Sequence, residues 1–279
     1  MDKMNFGHYT SQAGLLGIVG TETLWATNIK FLNDEYEFQH AIDLIKEIIP
    51  TSNIKSDHRD HGIYKDFITS LEKQLKSLNN YRSESIFTLS FSEETDLLSQ
   101  WRGYCPDNNG YCLILKIDEI LENAKSMYDN VHLVKCIYDK ETKETQIKDT
   151  LNEFWSSYIK SDDKKERKNI IEKLSTEIML LASYFKHPSF SEEKEHRIVV
   201  ILDYAPDHDL KFREGKFSII PYLELTAPRK CIDTICIGPT SNKTLSRRAL
   251  ETFLDTKFGL PVIFGDLEIL YSKTPYRPW

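Results

Sequence analysis

A long charged stretch lies between two groups of apolar, strand-like runs, and that order limits the fold more than any other feature. From about residue 141 to 186 the chain is rich in Lys, Glu and Asp, has helical periodicity and is broken once by SDDKKERK, which predicts a helical hairpin. Before it, SIFTLSFS (85–92) alternates with period two and YCLILKI (111–117) is almost continuously apolar. After it come HRIVVIL, FSIIPYLEL and CIDTICIG. Strands on both sides of a helical insertion predict an α+β chain on a mixed or antiparallel sheet rather than a doubly wound fold. With 40% hydrophobic residues over 279 positions there is material for a substantial core. No internal repeat, Gly/Ser linker or low-complexity tract marks a boundary, so residues 1–279 read as a single domain with the insertion inside it.

Shorter signals fill in the remaining elements. Asn5 to Tyr9 reads as a strand, Thr10 or Ser11 as the cap of a helix carrying Leu15, Leu16, Ile18 and Val19, and Gly20 as its end. LWATN (24–28) is a second strand, and Asn33 or Asp34 then caps a helix stopped by Pro50. Ile68, Leu71, Leu75 and Leu78 mark one face of a helix over 63–78, LLSQWRGYC a helical turn, and PDNNG (106–110) a tight turn. Helices at 118–127 and about 242–258 and strands at 131–138, PVIFG and LEILYS complete the pattern.

A net charge of −7 repels polyanions overall, so nucleic acid is disfavoured as a partner, although a local basic groove would still accept it. The five cysteines are odd in number, lack CxxC spacing and lie mostly in apolar runs, as expected of reduced thiols in a cytoplasmic protein. Neither a signal peptide nor a run of about 18 apolar residues is present, so no membrane partner is expected.

Several stretches carry polar groups suited to chemistry. In NFGHYTSQAGLL, His8 would satisfy a backbone carbonyl, Tyr9 would pack in the core and Thr10 would cap a helix; in the functional alternative, the strand end presents His8 to a ligand hydroxyl. In SFSEETDLLSQWRGYC, Ser90 and Ser92 share one strand face beside Trp101, Arg102 and Tyr104, a grouping of small donors, rings and a cation that suits a nucleotide as well as a solvated face over a buried Trp. In FKHPSFSEEKEHRIVVIL, a strand beginning near Glu193 would point Glu193, Glu195 and Arg197 one way. Arg197 would then neutralise a carboxylate on an edge strand, or one carboxylate would bind a sugar hydroxyl and stabilise a developing cation.

Other patterns are less specific. Glu192 and Lys194 form an ExK that a metal-dependent nuclease could use with Asp96 or Asp118. Glu35 and Glu37 read as first-turn helix acids, and Thr240, Ser241 or Asn242 as an ordinary cap. GxGxxG, Walker, HExxH and GxSxG motifs are all missing from the sequence.

Taken as an ordered set, HYTSQAGLLGIV with LWATNIKFLNDEYEF, then SFSEETDLLSQWRGYC, then FKHPSFSEEKEHRIV resembles the bacterial family labelled domain of unknown function 2971. That pattern in turn is similar to the ADP-ribosyltransferase superfamily, in which an early His or Arg, a middle Ser-x-Ser strand and a late Glu converge on NAD. The resemblance implies an ADP-ribosyltransferase-like fold with NAD as substrate and no metal. His8 would contact the adenosine-side ribose, Ser90 and Ser92 would brace the nicotinamide pocket, and Glu195 would be the catalytic acid of an E-x-E pair with Glu193. Tyr9, Thr10, Trp101, Arg102 and Tyr104 would complete the NAD-binding set. The implied enzyme cleaves the nicotinamide–ribose bond for a protein, nucleic-acid or water acceptor, as a toxin or phage-defence effector would. A nuclease and a noncatalytic nucleotide-sensing or protein-interaction module are the alternatives.

Overall fold

The structure, a computed structural model, describes residues 4–32, 37–49, 61–80, 85–105, 110–203, 209–259 and 267–275. Within them a ten-stranded sheet carries helices on both faces. Its strands are β1 (Asn5–Ser11), β2 (Thr23–Asn28), β3 (Ile86–Ser92), β4 (Gly110–Lys116), β5 (Val131–Lys135), β6 (Glu195–Ile201), β7 (Lys211–Glu214), β8 (Ile219–Thr226), β9 (Ile232–Ile237) and β10 (Glu268–Tyr271). All pairings are antiparallel except β9 with β10, so the expected α+β class on a mixed sheet is observed.

β3 is the hub. Along one edge it pairs with β6 over its full length, from Ile86↔Ile201 to Ser92↔Glu195, and β6 pairs onward with β5. Its other edge is shared. β1 meets it only at Gly7↔Ser92, and β2 only at Thr27↔Thr88 and Asn28↔Phe87. From there the sheet runs through β1, β4, β9 and β10 on one side of the fork and through β2, β8 and β7 on the other.

Alternation sends Phe87, Leu89 and Phe91 of β3 into the main core with Leu24 and Ala26, Leu113 and Leu115, Ile198 and Val200. Helices α1 (Gln12–Thr21), α5 (Ile117–Met127) and α8 (Lys243–Phe258) close that side with Leu15 and Val19, Ile120 and Ala124, and Leu250 and Leu254. A second core lies on the opposite face. There α2 (Glu37–Ile48), α3 (His61–Asn80), α6 (Lys140–Lys160) and α7 (Lys164–Tyr184) pack over Ile86, Val199 and Ile201. The charged hairpin expected at 141–186 is α6 and α7, capped by Asp139 and Asp163, whose carboxylates accept from Thr142 and Lys165 amides at 2.7 and 3.0 Å. It is half of a four-helix layer, its apolar stripe meeting α2 and α3 through Trp155, Tyr158 and Phe67.

Two local expectations change. α1 continues through Gly20 to Thr21 and ends on Glu22 in the left-handed region (φ 53°). β6 is an interior strand, and it starts at Glu195 because Lys194, with φ 41°, turns the chain left-handed after the 3-10 turn Pro188–Glu193. The α2 cap, Pro50, residues 106–109 of the PDNNG turn and PVIFG lie outside the described residues, as do Glu35 and the side chain of Glu37. No described helix is long and apolar enough to cross a membrane, and all five cysteines are buried and outside any disulfide.

Candidate functional site

One face of β3 changes character along its length. Ile86, Thr88, Ser90 and Ser92 share it, opposite Ile201, Val199, Arg197 and Glu195 of β6. The helical layer covers the aliphatic end. At the polar end the same face opens into a cavity of about 1010 Å³, at the upper limit of the range for small-molecule sites. A recess of about 80 Å³ adjoins it, and His8, Ser90, Tyr104, Glu193 and Glu195 line both. The fork supplies the opening. Between the β1 and β2 contacts, Leu89, Ser90 and Phe91 have no strand partner on that edge of β3, so the two halves of the sheet part there.

His8 is bound to the exposed edge, its Nδ1 donating to the Ser90 carbonyl at 3.0 Å. Burial lowers its pKa from the ordinary 6.5 despite the opposing pull of that hydrogen bond, so the ring is neutral at pH 7. With the proton on Nδ1, Nε2 is an acceptor for a ligand hydroxyl. Thr10 and Ser90 also line the cavity, and Tyr104 sits at it with 38% of its surface exposed.

The acids are assembled by a cation. Arg197 grips Glu195 with two bonds, Nε to Oε1 at 2.7 Å and Nη2 to Oε2 at 3.2 Å, while Lys186 bridges Glu195 and Glu193. Arg197 Nη1 also donates to the Ser183 carbonyl at 2.6 Å, in the last turn of α7, where the helix dipole favours a cation. Burial raises the Glu195 pKa, but Arg197 and then Lys186 outweigh it and hold the carboxyl at about 2. Burial likewise opposes charge on Lys186, and Glu195 reverses the sign to raise its pKa. The structural ion pair therefore exists, within an interior cluster of two carboxylates and two cations. Glu193 reaches it from the 3-10 turn and not by strand alternation, because the left-handed Lys194 intervenes.

Other candidates belong to the scaffold. The Tyr9 hydroxyl donates to the Glu94 carbonyl at 2.8 Å and accepts from the Leu97 amide at 2.9 Å, and its ring packs edge-on against Trp101 at 4.8 Å. Trp101 is 1% exposed, with Nε1 donating to Asp96 at 2.8 Å, so neither ring offers a stacking face. Ser92 shares the Ser90 face, but its Oγ donates to the Glu193 carbonyl at 2.6 Å and accepts from the Glu94 amide at 3.0 Å. It braces the turn that carries Glu193 while lining, with Tyr9, the small recess beside the cavity. Arg102 is exposed on α4 (Leu98–Tyr104), away from the cavity lining.

The ExK residues are not gathered either. Lys194 pairs with Glu94 on the surface, Asp96 is saturated by Trp101, Ser272, Lys273 and Thr274, and Asp118 lies in the first turn of α5. Among the described residues no group of three or more His, Cys, Asp or Glu side chains is placed to hold a metal ion.

Sequence reasoning missed several cavity residues, among them Trp25, Thr27, Thr88, Lys186 and Arg213. Trp25 had a visible signal, since it alternates against buried Leu24 and Ala26 and so had to face away from the core. Arg213 had none, because the β2–β8 pairing that brings the β7–β8 hairpin beside β2 is nonlocal.

No curated protein and no solved structure matches the chain. Residues 100–198 match the model of a family described as Protein of unknown function (DUF2971), a segment that contains most of α4, the α6–α7 hairpin, Lys186 and the Glu193–Glu195 turn. Over that segment the chain is similar to the DUF2971 family.

Proposed function

We propose that the cavity binds NAD and that the protein breaks the nicotinamide–ribose bond, as the sequence resemblance to ADP-ribosyltransferases implies. The observation that carries this reading is the convergence of His8, Ser90 and Glu195, from three separate strands, on the wall of one cavity. Departure of nicotinamide takes the bonding electron pair to the pyridine nitrogen and leaves positive charge on the ribose. Glu195, ionised at every pH above about 2, offers a carboxylate to a ribose hydroxyl and to that charge. Its Oε1 accepts from Arg197 Nε alone among the bonds described, which leaves acceptor capacity toward the cavity. His8 Nε2 accepts from another sugar hydroxyl, and Ser90 adds a donor. A nucleophile then bonds to the anomeric carbon; with water it releases a proton and yields ADP-ribose. Transfer to a macromolecule, or depletion of the NAD pool, would suit a toxin or defence effector.

Nicotinamide release from NAD by the purified chain tests this. His8→Ala and Ser90→Ala leave the ion cluster untouched and should lower release at unchanged melting temperature. Glu195→Gln should abolish it at a temperature where circular dichroism shows that variant folded. No release by the parent chain, with or without cell lysate as acceptor, defeats the proposal.

A further inference from the structure

The cavity has a second end that the proposed chemistry does not use. β-sheet register puts Thr88, Thr27 and Tyr222 in one row across β3, β2 and β8, with Lys211 next on β7, so the face that carries Ser90 continues outward beneath the cavity. Arg213, two residues along β7, shares that face and lines the cavity with Trp25, Thr27 and Thr88. Its guanidinium lies 6.0 Å from the Trp25 ring centre, and Nη2 reaches Thr27 Oγ1 at a long 3.5 Å. Among the described residues no carboxylate pairs with it.

Unmet polar atoms gather at this cavity. Four described side-chain atoms are buried without a hydrogen-bond partner, and three of them, Arg213 Nε, Thr88 Oγ1 and Ser99 Oγ, belong to residues that line it. A buried donor without an acceptor is destabilising, and a charged one more so. A cation facing a cavity with Nε unmet, in a lining that also carries the unmet hydroxyls of Thr88 and Ser99, is complementary to an anion with several acceptor oxygens. The N-terminal turn of α1 lines the same cavity through Ala13 and Gly14, adding the positive end of a helix dipole.

We infer that Arg213, with Thr27 and Thr88, forms a phosphate subsite that holds the diphosphate of a dinucleotide, with Trp25 flanking it at the cavity mouth. The inference rests on the cavity being a nucleotide site and deepens that reading by giving it polarity. The neutral, charge-balanced acid cluster at β6 takes the sugar whose bond breaks, and the cationic end at β7 takes the phosphates. A guanidinium suits this because its fork meets two oxygens at once, which an ammonium cannot do.

Calorimetric titration of the full chain with NAD, ADP-ribose, ADP, inorganic pyrophosphate and nicotinamide riboside tests the subsite. Arg213→Gln and Arg213→Lys should both weaken the four phosphate compounds about ten- to hundredfold while leaving nicotinamide riboside unchanged. The melting temperature should stay near that of the parent, since no ion pair is broken. If ADP and pyrophosphate bind through Arg213 but NAD is never cleaved, the subsite stands and the proposed reaction falls. If phosphate compounds do not bind the parent, or bind with an affinity indifferent to both variants, the subsite is overturned whatever becomes of the reaction.

Discussion

Arg197 and Glu195 lie two residues apart on β6 and hold each other through two hydrogen bonds on the same face of the strand, at 2.7 and 3.2 Å. Both are almost fully buried, so neither charge has water to fall back on. Removing one partner leaves the other uncompensated. Arg197→Met should cost about 3–5 kcal/mol in denaturant unfolding, and Glu195→Gln should also destabilise, since it leaves Lys186 and Arg197 facing an amide. The double replacement of Glu195 and Arg197 by apolar residues should cost less than the sum of the singles, and strict additivity in that cycle would refute the coupling.

Acid should lower the stability of the protein in two pH windows. His8 has a lowered pKa, so below the ordinary 6.5 the unfolded chain takes up that proton first and stability begins to fall. Glu195 contributes stability that is complete above its ordinary 4.5 and is lost as pH drops toward about 2. Denaturation midpoints from pH 8 to 2 should fall in both windows. His8→Gln should flatten the first and leave the second.

The same ionisation fixes an expectation for turnover. Because Glu195 is already charged, NAD cleavage should show no loss between pH 6 and 4 traceable to its protonation. A limb in that range surviving in His8→Gln would assign the loss to a second acid required for turnover.

Tyr9→Phe separates scaffold from site. It deletes one bond donated to Glu94 and one accepted from Leu97, and should cost about 1–3 kcal/mol through the stranded Leu97 amide. Ligand affinity measured below the transition should not change.

Lys194→Gly tests the turn between the two acids. The left-handed position suits glycine, so the melting temperature should hold or rise despite loss of the surface pair with Glu94, and NAD cleavage should persist. Metal-dependent nuclease activity that disappears in this variant would favour the ExK pattern instead.

Much of the frame was legible because it depends on local period. The alternation of SIFTLSFS, the apolar run of β4 and the heavily charged helical hairpin each appear where expected. The convergence of His8, Ser90 and Glu195 was not legible: His8 and Ser90 lie inside β1 and β3, and only the fork in the sheet opens them to the cavity that Glu195 meets at the start of β6. What the sequence hid was competition for partners. Ser92 and Ser90 look alike in the chain, yet Ser92 is consumed by Glu193 and Glu94, and that depends on a turn 101 residues away. Glu193 and Glu195 looked like strand neighbours until Lys194 took a conformation that residue type rarely signals. Arg213 reaches the cavity only through one hairpin register, β7 on β8, and one long-range register, β8 on β2.

β3 gives its phenylalanines and leucine to the core and its hydroxyls to the cavity, and both faces are fixed by one register against β6. A slip of a single residue would turn Leu89 and Phe91 into the cavity and send Ser90 and Ser92 under the helices. Folding and recognition therefore share one alignment error. Variants that loosen the β3–β6 ladder should lose ligand binding and cooperative unfolding together, and an insertion in β3 can spare the site only in steps of two.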